Sequence, residues 1–427
     1  MSEVIATNET IMVVGGGISG LTAALEAAEC GKQVLLLEKS SSVGGRVGQL
    51  YKYFPKLCHP TCGLEIQYRR LKANKNVRLL TMAEVTNVEG ESGNYTVSVK
   101  VAPRFVNENC TACGACNEVV EAEFDDEHNY GMMKRKGAYL SHNMACPQRY
   151  VLDPAIIGTD DATKAKEACK YDAIDLDMAE QELTLTAGSI IFATGWKPYD
   201  AAKIQPYGYD RYTNVITNVE FERMLDPFGP TGGKIQRPSD GATPKNVAFI
   251  QCAGSRDHNH LKHCSRICCM ATLKQTTYIK GQLGDDCKST VYYIDIRAID
   301  RIDDFQKMVE ADENVTFVKS KVANIVKSGD DSVILNGVDT EGYNRYANEH
   351  DLVVLATGME SSLPEGIFPE GTVINEHNFI DADESNGAIF GAGCSSDALD
   401  VNRAVQNSTA AALRAIQTVH LVSGTEG

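Results

Sequence analysis

Three features of the sequence predict an α/β chain with two dinucleotide-binding-type domains and a small cysteine-bearing insertion. A buried-strand pattern runs into a glycine turn and a helix over residues 11–31. Two later apolar strands, SIIFATGW and DLVVLATGM, each end in Ala-Thr-Gly. Between these features lies CTACGAC, residues 110–116, whose three cysteines have the spacing that wraps thiolates round an iron–sulfur cube.

The first domain opens with IMVVGGGISG, a strand followed by Gly15, Gly17 and Gly20 in the order G-x-G-x-x-G. LTAALEAAECG continues as a helix ending at Gly31, and QVLLLEKS is a second strand with Glu38 and Lys39 at its carboxyl end. In such a unit the glycines allow a tight turn and a close approach of pyrophosphate, which rests on the helix N-terminus, while the acidic residue binds a ribose hydroxyl. SSVGGRVGQL follows directly, and its Gly44-Gly45-Arg46 resembles the second glycine pair of two-domain flavoprotein reductases. The cofactor therefore reads as FAD rather than NAD, the bland alternative being a nucleotide fold that has lost its ligand. In those reductases the Ala-Thr-Gly strands, here with Thr194-Gly195 and Thr357-Gly358, mark the crossings between domains. The segment GAIFGAGCSSDALDVNRAVQNSTAAALRAI resembles their closing flavin motif and contributes Gly393 and Asp400, with Cys394 where many relatives have Asp. The candidate cofactor contacts are thus Gly15, Gly17, Gly20, Glu38, Lys39, Gly45, Arg46, Val85, Thr194, Gly195, Gly393 and Asp400. Residues 1–100, 181–200 and 361–427 are expected to form one FAD domain, interrupted twice.

The first interruption, 101–180, is expected to be ferredoxin-like. Cys110, Cys113 and Cys116 lack the next cysteine of a bacterial ferredoxin motif, the position being Val120. ACKYDAIDLD resembles the tail of a second motif ending at Cys169, whose earlier slots are Thr159, Ala162 and Ala165. In two-cluster ferredoxins the fourth cysteine of each motif ligates the other motif's cluster. One complete ligand set is therefore lost, and the other, Cys110, Cys113, Cys116 and Cys169, is kept for a single 4Fe–4S cluster. Rival readings are a zinc site, a metal-free loop, and Cys146 in NMACPQRY as the fourth ligand.

The second interruption, 201–360, is expected to be the NAD-like domain, with NVAFIQCAG a strand, LKHCSRICCMATLKQTTYIKG a helix and STVYYIDIRAI a strand. Its turn, QCAGSRDHNHLKHC, has Gly254 as the only glycine, so a pyrophosphate would meet side chains rather than backbone. Four cysteines replace the fingerprint: Cys252, Cys264, Cys268 and Cys269. Placed on one helix, Cys264 and Cys268 would stand a turn apart on one face above Cys252, which suits a soft metal centre. A redox-active thiol pair and buried core cysteines are the rivals. Cys58 and Cys62 in LCHPTCG read equally as a dithiol beside the flavin or as small core residues, and His258, His260 and His263 as a solvated loop near the second nest.

Composition bounds these readings. The chain has 427 residues, 14 cysteines and a formal net charge of −16, which argues against nucleic acid or anionic lipid as a partner. Its longest apolar runs are too short to span a bilayer, and the first ten residues carry no export signal. Fourteen cysteines in a reducing cytoplasm point to metal or redox chemistry rather than a disulfide framework.

In order, GGGISG…GGRVGQL, FPKLCHPTC, CTACGAC, ACKYDAID and QCAGSRD…CSRICCM resemble the A-type flavoprotein family of heterodisulfide reductase over nearly the whole chain. The resemblance implies a second 4Fe–4S cluster on Cys252, Cys264, Cys268 and Cys269. Compared with the methanogen members, the sequence starts at the flavin fingerprint, has lost one inserted cluster and has no C-terminal extension. That trimmed form is most similar to the members that serve the quinone-interacting membrane-bound oxidoreductase complex of sulfate reducers. It implies a second flavoprotein subunit of the same kind, a haem-bearing membrane subunit, and adenylylsulfate reductase as redox partner of the menaquinone pool. Placement would be cytoplasmic and peripheral to the membrane through those partners. On this reading no side chain acts as acid, base or nucleophile. Rival functions are a self-sufficient NAD(P)H-dependent FAD reductase acting through Cys58 and Cys62, and a structural FAD-binding subunit.

Overall fold

The run Ile11–Val14 is apolar throughout and lies at the centre of a parallel sheet ordered 389–391, 189–192, 11–14, 34–38, 77–81. A strand apolar on both faces suits a parallel sheet covered on both sides. Ile11 and Val13 face the helices Ile18–Glu29, Pro60–Ala73 and Val401–Thr425. Met12 and Val14 face an antiparallel sheet of Ala83–Glu91, Asn94–Val101 and Gln181–Ala187. The computed structural model describes residues 6–425 apart from 55, 299–301, 330 and 383–385.

The inserted segment leaves and rejoins that antiparallel sheet at one point, because Val101 and Gln181 are register partners. It holds short helices, Ala115–Val119 and Asp160–Ala168, two small ribbons and a core of its own. Ala138, Leu152 and Ile156 are fully or nearly fully buried in that core.

A second parallel sheet is ordered Val215–Thr217, Leu352–Thr357, Asn246–Ala253, Lys288–Tyr293, Val315–Lys319. The antiparallel pair Trp196–Pro198 and Met359–Ser361 carries the chain between the two sheets, directly after each Ala-Thr-Gly. Two expected elements differ. The helix expected from Leu261 begins at Cys268 and runs to Leu283, because Arg256 and Arg266 take φ of 56° and 61° and the Asp257 side chain ties a turn onto Asn259 N–H. The strand expected over 289–299 ends at Tyr293, and Ile299 lies outside the described residues.

Candidate functional site

The glycine turn of the first sheet is closed by contacts that no side chain permits. A Cβ on Gly15, whose φ is 108°, would stand 2.3 Å from the Ala193 carbonyl oxygen, and one on Gly20 would stand 1.7 Å from the Gly15 oxygen. Gly17 forms a bridge with Gly44, and a Cβ on Gly45 would stand 2.8 Å from the Gly17 Cα. Gly17 caps the helix Ile18–Glu29 without a side-chain hydrogen bond, so the first-turn N–H groups remain for a phosphate. The Glu38 carboxylate accepts from Gly16 N–H at 2.6 Å and Ser40 N–H at 2.7 Å. Burial pushes its pKa up against those two donors. These residues fit a dinucleotide cofactor.

The other expected contacts fall in different settings. Lys39 turns to Glu84 at 2.7 Å on the surface, and the Val85 side chain is buried between the two sheets. Arg46 donates to the Trp196 carbonyl at 2.8 Å and to the Tyr130 hydroxyl at 3.0 Å, between the two rings. It therefore ties the glycine pair to both the crossing strand and the insertion. Thr194 and Gly195 meet the Ser395 hydroxyl at 3.0 and 3.3 Å. Gly393, with φ of 59°, packs its backbone on Ser19 and donates to Asn407 at 2.7 Å. Asp400 caps the closing helix by accepting from Arg403 N–H at 3.1 Å. The Cys394 thiol is buried, donates to the Leu399 carbonyl at 3.4 Å and is pushed up to about 11 by burial. Tyr130, Ser395 and Asn407 are site residues that the sequence alone did not single out.

In the insertion, Cys110, Cys113, Cys116 and Cys169 line one pocket with Val106, Tyr150 and Ala173. The Val106–Ile174 bridge and the Asn107 N–H to Ala173 carbonyl bond, 2.7 Å, bring the two cysteine segments side by side. Positive φ at Ala112 and Gly114, 55° and 86°, wraps the first segment. Backbone N–H groups of Ala112 and Ala173 already point at the Cys110 and Cys169 sulfurs, each at 3.4 Å. Burial and the neighbouring Cys110 raise the Cys116 thiol to about 11, so a thiolate there needs a cation. No three His, Cys, Asp or Glu side chains among the described residues stand close enough to hold a single metal ion. The four thiols share one pocket, as the ligand set of a 4Fe–4S cluster requires. The four vacated slots are not a second pocket of this kind. Val120, Ala162 and Ala165 are almost completely buried in the insertion's core, and Thr159 caps its helix. Cys146 is buried in the core of the first sheet, where its carbonyl accepts from Val43 N–H at 2.8 Å, and it does not line the pocket.

The second nest gathers differently from the expectation. Cys264 lies in the irregular loop, not on a helix, and its sulfur accepts from Arg266 N–H at 3.3 Å. Cys268 and Cys269 open the helix Cys268–Leu283. Cys252 occupies a β-bulge with φ of 56°. Burial raises the Cys268 and Cys269 thiols, and charge on the neighbouring Cys252 and Cys264 raises both further. The Arg256 guanidinium reaches the Cys252 sulfur at 3.9 Å and pairs with Asp295 after the next strand. Tyr199 covers Gly254, with a ring carbon 2.4 Å from a notional Cβ. At this turn a Gly254 Cβ would meet the Tyr199 ring, and the Arg256–Asp295 pair stands beside Cys252. His260 bonds the Tyr199 hydroxyl and His263 the Met359 carbonyl, both at 2.8 Å, so neither imidazole nitrogen so engaged is turned to the thiols. Cys58 and Cys62 are free thiols at the start of the helix Pro60–Ala73, next to Tyr53.

Residues 13–52 match the family model of an NAD(P)-binding Rossmann-like domain. Two solved thioredoxin reductases share the fold, that of T. acidophilum with a TM-score of 0.50 and that of Lactococcus lactis with 0.51, each at 14% identity over 96% of this chain and 98% or 99% of theirs. The A-type subunit of the H(2):CoB-CoM heterodisulfide,ferredoxin reductase of Methanothermobacter marburgensis is 34% identical over 96% of this chain and 64% of its own length. The A-type iron-sulfur subunit of the CoB–CoM heterodisulfide reductase of Methanocaldococcus jannaschii is 39% identical over 84% of this chain and 54% of its own. The chain spans between about half and two thirds of the length of these curated relatives. Over nearly its whole length it is a homologue of the A-type subunit of heterodisulfide reductase.

Proposed function

We propose that the chain is an oxidoreductase subunit that carries FAD in the first cradle and two 4Fe–4S clusters, on Cys110, Cys113, Cys116 and Cys169 and on Cys252, Cys264, Cys268 and Cys269. The observation that carries this reading is the convergence of Cys169 with the three spaced cysteines on one pocket, where backbone N–H groups are already aimed at two sulfurs. FAD takes two electrons together and releases them singly, whereas clusters pass one at a time. The chain's own residues hold these groups. The uncapped turn at Gly17 receives the pyrophosphate, Glu38 receives the ribose, and Arg46 fixes the glycine pair against the insertion. A turn with Gly254 as its only glycine, packed against Tyr199, counts against direct reduction by NAD(P)H.

Within this reading the chain works in a multi-subunit complex like its relatives' and links the menaquinone pool to adenylylsulfate reductase. A second flavoprotein subunit and a haem-bearing membrane subunit complete the complex, with bifurcation or confurcation at the FAD. The apolar filling of the lost cluster site supports the finer assignment. No helix among the described residues is long and apolar enough to cross a membrane, so attachment at the cytoplasmic face would run through partners. The test is iron and acid-labile sulfide per FAD on anaerobically purified protein, beside Cys169→Ser and Cys264→Ser. About eight irons falling to about four in each variant is the expected result. Iron untouched by Cys169→Ser would sink the assignment of the first nest. Reduction of adenylylsulfate reductase by a menaquinol analogue through the purified complex tests the finer reading.

A further inference from the structure

Behind the second nest, four buried polar atoms have no hydrogen-bond partner among the described residues: both amide atoms of Gln251, the Thr272 hydroxyl and Oε1 of Gln275. The other such atoms are guanidinium nitrogens of Arg135 and Arg149, in the insertion. Gln251 is 5% exposed and Thr272 and Gln275 are 0%. A buried polar group left unpaired forfeits its hydration without compensation, so this concentration calls for a partner.

The three residues share one place in the fold. Val247 and Phe249 pack on the helix side of their strand, whereas Ala248, Ile250 and Ala253 pack on the other. Gln251 continues the alternation of Val247 and Phe249 on the helix side, and the register shift between Ile250 and Ala253 interrupts it at Cys252. On the helix Cys268–Leu283, Cys268, Thr272, Gln275 and Ile279 form one stripe, and Ile279 packs with Phe249. The Gln275 amide is fixed, since its nitrogen donates to the Asn218 carbonyl at 2.9 Å and Glu222 Oε1 at 2.8 Å, two groups that only accept. The polar stripe therefore runs from Cys268 into the interior. Cys268 donates its thiol hydrogen to the Thr357 carbonyl at 3.5 Å. As a metal-bound thiolate that sulfur has no hydrogen to give and becomes an acceptor.

We infer that internal water occupies this stripe, held by Gln251, Thr272 and Gln275, and donates to the sulfurs of the second nest. A water typically makes about three hydrogen bonds to otherwise unsatisfied buried groups. The inference rests on the cluster assignment made above. Donors aimed at a ligand sulfur stabilise the reduced cluster and raise its potential.

The test uses the anaerobically purified full chain in its complex, beside Thr272→Val and Gln251→Leu. Iron per FAD, a redox titration, and electron–nuclear double resonance of the reduced second cluster before and after exchange into heavy water are measured. The expected result is unchanged iron and exchangeable hydrogens at the wild-type cluster that are lost in the variants. Its reduction equilibrium should fall about tenfold, about 59 mV for a one-electron step. Eight irons with no exchangeable hydrogen in the wild type would overturn the water site alone, whether or not the variants accumulate. An unchanged midpoint in both variants would overturn its influence on the cluster. Wild-type iron near four, with Cys264→Ser without effect, removes the second cluster and the inference with it.

Discussion

Gly20 and Gly195 are both glycines of the cradle, for different physical reasons. Gly20 lies in the helix Ile18–Glu29, and what forbids a side chain there is the Gly15 oxygen, 1.7 Å from its notional Cβ. Gly195 has open space around it, but its φ is 74°. Gly20→Ala must push the helix off the turn, and the expected outcome is loss of bound FAD, read as the flavin-to-protein ratio. Gly195→Ala should cost about 1–2 kcal/mol of stability, the left-handed backbone penalty, and keep most of the flavin. Full flavin content in Gly20→Ala would show that the turn does not carry the pyrophosphate. These glycines were legible in the sequence because the motif is local. Ser395 on Thr194 and Tyr130 on Arg46 were not, because the contacts span 201 and 84 positions and leave no spacing to read.

At the scale of elements, the insertion shows where the non-cysteine slots of the two motifs lie. At the slots where the ferredoxin spacing lacks a cysteine, Val120, Ala162 and Ala165 pack into a core with Leu152 and Ile156. Val120→Ala removes two methyl groups from a fully buried site and should cost about 2 kcal/mol, measured by denaturant unfolding. Iron per FAD should stay at its wild-type value. A fall in iron would mean that the filled side still supports a ligand set. The second nest was less legible for two reasons. The periodicity from Leu261 is helical, but turn chemistry at Asp257 and positive φ at Arg256 and Arg266 delay the helix to Cys268. The bulge at Cys252 has no marker in the residue types themselves. The central strands of both parallel sheets, by contrast, follow from apolar runs, whereas the edge strands Val77–Thr81, Val215–Thr217 and Val315–Lys319 are short or only half-buried and carry no such signal.

Across the whole molecule, the segment after the glycine pair is held by a buried polar seam that joins all three parts. Arg223, 2% exposed, donates to Asn129 of the insertion at 2.8 Å and to the Gln49 carbonyl at 3.3 Å. Glu222 and Lys274, from the second sheet's helices, pair at 3.0 Å with side chains almost fully buried. Glu222 also accepts from Tyr51 N–H at 3.0 Å, and Lys274 donates to the Lys52 carbonyl. A buried pair of this kind gives weak net stability but a fixed geometry, since either partner alone is an uncompensated charge. Lys274→Met should therefore destabilise the protein by about 3–5 kcal/mol. Combining it with Glu222→Gln should recover much of that loss, the coupling being read from a double-mutant cycle of unfolding free energies. Because the seam spans the cradle segment and the second domain, Lys274→Met should also slow electron passage from the flavin to the second nest while leaving iron and flavin contents unchanged. If the single and double variants are additive and transfer is unaffected, Glu222 and Lys274 are independent, and the register between flavin and second cluster is set elsewhere, with Arg223 and Arg46 the remaining ties.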